Sequence, residues 1–174
     1  MLQTLRTLAK LFGALLMIFL AQITAVYLLP FPFNRINIAL LTFLWLIVYR
    51  NNLSALWLAL IISLTTDLFS SLPFGLTALA MISTIVVTRR IFEIFSNFSW
   101  YNIFFLGALG IFFYEIFSYA LLLTIYFFYK KTDVLQLPNL TYFASEIFIN
   151  ALSLLIAYAI SLLFTKRKIT YHSL

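Results

Sequence analysis

The chain has 174 residues, of which 64% are hydrophobic and 9% charged, with a net charge of +6 and a mean hydropathy of +1.08. A soluble domain carries about 25% charged residues and at this length leaves about a third of its surface exposed, so this composition excludes an ordinary globular core and indicates a bilayer as solvent. There is no cysteine and a single histidine, His172, which removes disulfides, thiolate chemistry, the usual zinc sites and a Ser-His-Asp triad.

Six apolar runs divide the chain, which reads as one integral membrane domain over residues 1–174 with no soluble domain attached. A helix needs about 20 apolar residues to cross the hydrocarbon, within a range of about 17–25. The first run covers about 8–29, follows Arg6 and Lys10, and ends at Pro30 and Pro32. Its apolar core is too long for a signal peptide, and Ala21-Gln-Ile-Thr-Ala25 has the wrong small-residue spacing for cleavage, so it reads as an uncleaved span. The second run, about 36–49, is short and needs a thinned bilayer or its flanking residues. The third is about 53–71. Pro73 and Gly75 then set a tight turn, because proline fixes φ and glycine tolerates unusual backbone angles. The fourth is about 74–90, closed by Arg89-Arg90, and residues 91–95 either extend it or lie along the membrane surface. The fifth is about 101–128. The sixth is about 141–164, before Lys166-Arg167-Lys168.

Both termini are expected on the cytoplasmic side. That orientation puts eight of the eleven basic residues inside, leaving Arg35, Lys130 and Lys131 outside. The positive charge is therefore read as topology, with no nucleic-acid partner. The basic tail is expected to be a stop-transfer anchor, or else a site for anionic lipid or a cytoplasmic partner. Trp57, Trp100, Tyr101 and Tyr126 fall near the expected water interfaces.

With only four glycines, the helices are expected to approach through Ala, Ser and Thr. Spacing of three or four puts Ala55, Ala59, Ser63, Thr66, Asp67 and Ser70 on one stripe of the third span. The matching stripes are Thr77, Met81, Thr84 and Thr88 on the fourth span, and Ala108, Glu115 and Ser118 on the fifth. On the sixth they are Glu146, Asn150, Ser153, Ala157 and Ser161. The Phe- and Leu-rich faces are left to lipid.

Of the five acids, Asp67, Glu115 and Glu146 interrupt apolar runs. A charge at the middle of a membrane helix costs roughly 2.5–3.5 kcal/mol on insertion scales, so each needs an inward role. Asp67 precedes the turn by one helical turn. It is expected to cap backbone donors of the turn or of the next helix, with a proton relay or ligand contact as the alternative. Glu115 is expected to be a hydrogen-bonded buried acid or a polar contact to a partner, and Glu146 to reach water near the end of its span. Two carboxyls on different helices also suit a transporter. Hydrolysis lacks support, since there is no metal-ligand cluster, phosphate loop or nucleophile elbow, and Ser70 and Ser71 are turn residues. No cofactor is expected.

The stretch Asp67-Leu-Phe-Ser-Ser-Leu-Pro-Phe-Gly75-Leu-Thr-Ala-Leu-Ala-Met81 resembles the MreD family of rod shape-determining membrane proteins. That family's pattern runs Asp-Leu-x-Ser, a short turn, then Gly-x-x-Ala-Leu, with the Asp and Gly eight apart. Asp67, Leu68, Ser70, Gly75, Ala78 and Leu79 fit it, Asn150 in the last span is a second match, and Ser63 stands where the family commonly has glycine. The resemblance implies a non-enzymatic scaffold of the cell-elongation machinery in the bacterial cytoplasmic membrane. Such a subunit binds the bitopic protein MreC and through it links MreB filaments to the RodA glycosyltransferase and a penicillin-binding transpeptidase. It also implies the six-helix fold of substrate-binding subunits of energy-coupling-factor vitamin transporters. Such a subunit is the alternative function, and Ala21-x-x-x-Ala25 is similar to the small-residue motif by which those subunits dock.

Overall fold

The computed structural model describes residues 2–46, 55–70, 72–94, 100–129 and 140–165. Among them the chain is all helical, with six α-helices, one 3-10 turn and no strand. The helices are α1 (Leu2–Leu28), α2 (Ile38–Leu44), α3 (Ala55–Phe69), α4 (Leu76–Ile94), α5 (Trp100–Tyr129) and α6 (Leu140–Thr165), and the 3-10 turn is Phe33–Arg35. Over Trp100–Phe128 and Thr141–Leu162, α5 and α6 are long and apolar enough to cross a membrane. Residues 91–94 continue α4 as helix, which decides between the two readings of that segment for its described part. There Glu93 pairs with Arg89 and Arg90 at 3.0 and 3.3 Å. The loop 130–139, Ser71 and the basic tail lie outside the described residues.

Residues 47–50 lie outside the described residues, so the expected span over 36–49 is seen only as far as residue 46. There it holds a seven-residue helix, α2, about 10 Å long at 1.5 Å per residue. It is the centre of the core. Leu40, Phe43 and Leu44 are fully buried against Ala55, Ala59 and Ile62 of α3, Met81 and Ile85 of α4 and Ile111 of α5. Asn37 ends the preceding extended stretch by capping α2, its side chain accepting from the Leu40 N–H at 3.0 Å. The Phe- and Leu-rich surfaces therefore do not all face outward, because α2 supplies the inner packing. A second cluster joins Leu41 to Phe92, Ile103, Leu106 and Leu154.

α5 and α6 run antiparallel. Phe104 meets Phe148 and, farther along, Phe112 meets Phe143, with ring centroids 6.3 and 6.2 Å apart. Their closest approach is made by glycine, against the expectation that Ala, Ser and Thr do this work. A Cβ on Gly107 would lie 2.8 Å from the Ala151 Cα and 3.3 Å from the Leu154 Cβ, and one on Gly110 would overlap the Leu44 side chain. Gly107→Ala should therefore destabilise the fold by about 1–3 kcal/mol, the usual range for overpacking, since the obstacle is backbone. Gly13→Ala, with nothing within 4 Å, should be neutral or better. Thermal unfolding of the two variants in mild detergent checks the contrast, and equal midpoints would contradict the close packing.

The small-residue stripes hold on α3 and α4. Ala55, Ala59, Ser63, Asp67, Met81, Thr84 and Thr88 are all buried, while Ser70 is exposed. On α6 the stripe is displaced. Asn150 is buried, but the packing face continues through Ala151 and Leu154, and Ala157 is exposed. The cause is the Gly107 contact, which draws the Ala151 side of α6 against α5.

Candidate functional site: two capped helix starts around a cavity

Asp67 ends α3 with its side chain 3% exposed. Its carboxylate reaches across the turn to three backbone donors. Oδ2 accepts from the Gly75 N–H at 2.9 Å and from the Ala78 N–H at 3.4 Å, and Oδ1 accepts from the Thr77 N–H at 3.2 Å. These are first-turn donors that an α-helix cannot satisfy internally, and a negative charge at this end also meets the favourable side of the helix dipole. The spacing of eight between Asp67 and Gly75 is what lets one carboxylate serve both the turn and the start of α4. Gly75 holds φ at +90°, a left-handed conformation that other residues adopt at a cost. Pro73 presents its carbonyl to the Leu76 N–H at 3.1 Å. Ser70 Oγ donates to the Asp67 carbonyl at 3.2 Å and accepts from the Leu72 N–H at 3.3 Å. The residues behind the family resemblance thus form one helix-turn-helix junction.

A second junction lies at the start of α2 and draws on three parts of the chain. Asn150, fully buried on α6, accepts from the Asn37 N–H through Oδ1 at 2.7 Å. Its Nδ2 donates to the carbonyls of Arg35 at 3.0 Å and Glu146 at 2.8 Å. From α1, Gln22 Nε2 donates to the Ile36 carbonyl, and Gln22 Oε1 accepts from the Ala39 N–H, both at 3.2 Å. Gln22 lies six residues before the end of α1 (Leu28), so the linker folds back along that helix by about 9 Å before α2 begins. Irregular backbone at such depth is tolerated only where protein groups satisfy it, and Gln22, Asn37 and Asn150 do so. Gln22 and Asn37 are absent from the residues expected from sequence. Two signals were available: Gln22 is an isolated amide inside an apolar run, and Asn37 directly precedes the run that becomes α2.

The carboxyl groups of the other two acids join neither junction. Glu115 and Glu146 are half-buried on α5 and α6. Glu115→Gln should be tolerated and Glu115→Lys should not, because an ammonium at a half-buried position of an apolar helix must either be desolvated or give up its proton, both at a cost that a neutral amide avoids. Membrane-fraction yield of the two variants checks this, and equal yields would mean that water reaches the site.

Between the two junctions lies a cavity of about 490 Å³. α1 contributes Phe19, Ile23 and Val26 to its wall, and Phe69 and Met81 come from α3 and α4. Among the described residues its polar lining is uncharged: Gln22, Tyr27, Asn37, Thr66, Ser70, Thr77 and Tyr114. Among the described residues no group of three or more His, Cys, Asp or Glu is placed to hold a metal ion. Compared with protein families, curated proteins and solved structures, the chain matches none.

Proposed function

We propose that this chain is a non-enzymatic membrane scaffold of the MreD type: six spans in the cytoplasmic membrane, both termini inside, binding a bitopic MreC-like partner. Through that partner it would link MreB filaments to RodA and a penicillin-binding transpeptidase. The observation carrying this reading is the use made of the polar side chains. Asp67, Gln22, Asn37 and Asn150 each terminate on backbone groups of the bundle itself, which is the economy of a protein that holds a shape for others to bind. The Asp67–Gly75 junction supports it further, since the motif on which the resemblance rests is coherent as architecture. α5 and α6 are consistent with membrane insertion, and the outward faces of α1 and α5, rich in Phe, Leu and Ile, offer apolar surface for a partner helix.

The alternative is a substrate-binding subunit of an energy-coupling-factor transporter. The cavity favours it, because its volume falls within the roughly 300–1,000 Å³ of small-molecule sites. The proposed docking motif counts against it, because Ala25 is buried within the bundle and Ala21 is half-buried, leaving no open small-residue face. Affinity purification of the chain from native membranes in mild detergent separates the two. Cell-wall elongation proteins should co-purify. Recovery of an ATPase-driven transporter module in their place would overturn the scaffold reading.

A further inference from the structure

The cavity between α1 and the α3–α4 junction has a lining that selects its occupant. Among the described residues no Lys, Arg, His, Asp or Glu faces it, so they offer no counter-charge to a charged headgroup or to an ionised solute. Several of its polar groups are already engaged. Gln22 is held at both ends of its amide by Ile36 and Ala39. The Thr66 hydroxyl donates to the Ser63 carbonyl at 2.7 Å and that of Ser70 to the Asp67 carbonyl. Beside the hydroxyls of Tyr27, Thr77 and Tyr114, the remaining surface is apolar, from Phe19, Ile23 and Val26 on one side to Phe69 and Met81 on the other. The mouth is the outer surface of the helices: Ile23, Val26, Tyr27 and Phe69 line the cavity and are also exposed. In a bilayer that mouth opens sideways into hydrocarbon. Water in such a space would find few partners, since a stable buried water needs two to four polar groups.

We infer that this cavity takes up one acyl chain of a membrane lipid, entering between α1 and the end of α3 and reaching inward to Met81. The inference rests on the membrane reading above and goes beyond it by assigning the cavity to lipid, not to a water-soluble substrate. An inserted chain would fill space next to both capped junctions and so brace the sunken starts of α2 and α4 where packing between them is open.

The chain has no native cysteine, so Thr77→Cys places a single thiol in the cavity while keeping the backbone N–H that Asp67 holds. The full chain is reconstituted in phosphatidylcholine vesicles doped with a phosphatidylcholine that carries a diazirine on one acyl chain. The Thr77→Cys protein should react with N-ethylmaleimide and not with a charged, sulfonated maleimide added to either face. On irradiation of the native chain, label should reach Met81, which is 2% exposed, as well as Phe105, which is exposed on the outer face of α5. Thr77→Trp, which fills the cavity, should abolish the Met81 label and leave the Phe105 label. Rapid reaction with the charged reagent would overturn the inference in favour of a water-filled solute site. So would Met81 left unlabelled, or labelled equally in Thr77→Trp, while Phe105 is labelled. Loss of the Phe105 label together with extraction of the protein by alkaline carbonate would instead refute membrane insertion, and the inference with it.

Discussion

Asp67→Ala should lower the unfolding midpoint in mild detergent by roughly 5–10 °C. The substitution strips the acceptor from the N–H groups of Gly75, Thr77 and Ala78 at the start of α4. Losing a cap costs about 0.5–2 kcal/mol, and hydrogen bonds to a charged group are each worth about 1.5–3 kcal/mol. The three here share one carboxylate, and water reaches neither it nor its partners freely, so a total on the order of 2–3 kcal/mol follows. A chain of this length shifts by about 2–4 °C per kcal/mol. Asp67→Asn keeps one acceptor oxygen and loses the charge, so its midpoint should lie between the two. Because Asp67 is 3% exposed, the differences should persist at high salt, whereas a surface ion pair would be screened. An unchanged midpoint for Asp67→Ala would remove the structural role and return this residue to the proton-relay or ligand-contact alternative.

The second large effect is expected at Asn150. Asn150→Leu conserves approximate size but leaves the Asn37 N–H and the Arg35 carbonyl facing an apolar side chain. Each buried polar group left unpaired costs about 1–3 kcal/mol, so a loss on the order of 3 kcal/mol is expected. Asn150→Asp is the sharper variant. It keeps the acceptor for Asn37 but turns a donor into an oxygen that faces the carbonyls of Arg35 and Glu146. It should be at least as damaging as leucine, although it is closer in shape. Hydrogen exchange at the Asn37 amide reads the junction directly and should accelerate in both variants. If Asn150→Asp behaves like the native chain, the amide is not oriented as described. Asp67 and Asn150 share no hydrogen-bond partner, so the losses in the double variant should add.

The two junctions were unequally legible in the sequence. The cap by Asp67 is local: its farthest partner, Ala78, is eleven residues away, and proline and glycine mark the turn. Asn150 stood out as polar in an apolar span, but its partners are 113 and 115 residues away. Nothing in the spacing of α6 indicates that its amide closes the start of α2. Gln22 shows the same limit, since an amide on a first helix has no sequence mark naming Ile36 and Ala39 as its partners. Four glycines in 174 residues carry no sequence mark of close packing at Gly107 and Gly110. Two of the four nonetheless sit where a Cβ would collide with the neighbouring element.

What the sequence determined by itself is what depends on composition and on neighbours in the chain. It set the all-helical class, the number and approximate limits of the apolar runs, the Asp67–Gly75 turn, and the inward faces of α3 and α4, because helix period and turn chemistry act over a few residues. Tertiary structure decided that α2 packs at the centre of the bundle, that the linker before it folds back beside Gln22, that α6 packs through Ala151, and that a cavity remains between the junctions. Those outcomes turn on which surfaces meet. A backbone group without a local partner has to find one elsewhere in the fold, and only the packed bundle determines which side chain reaches it.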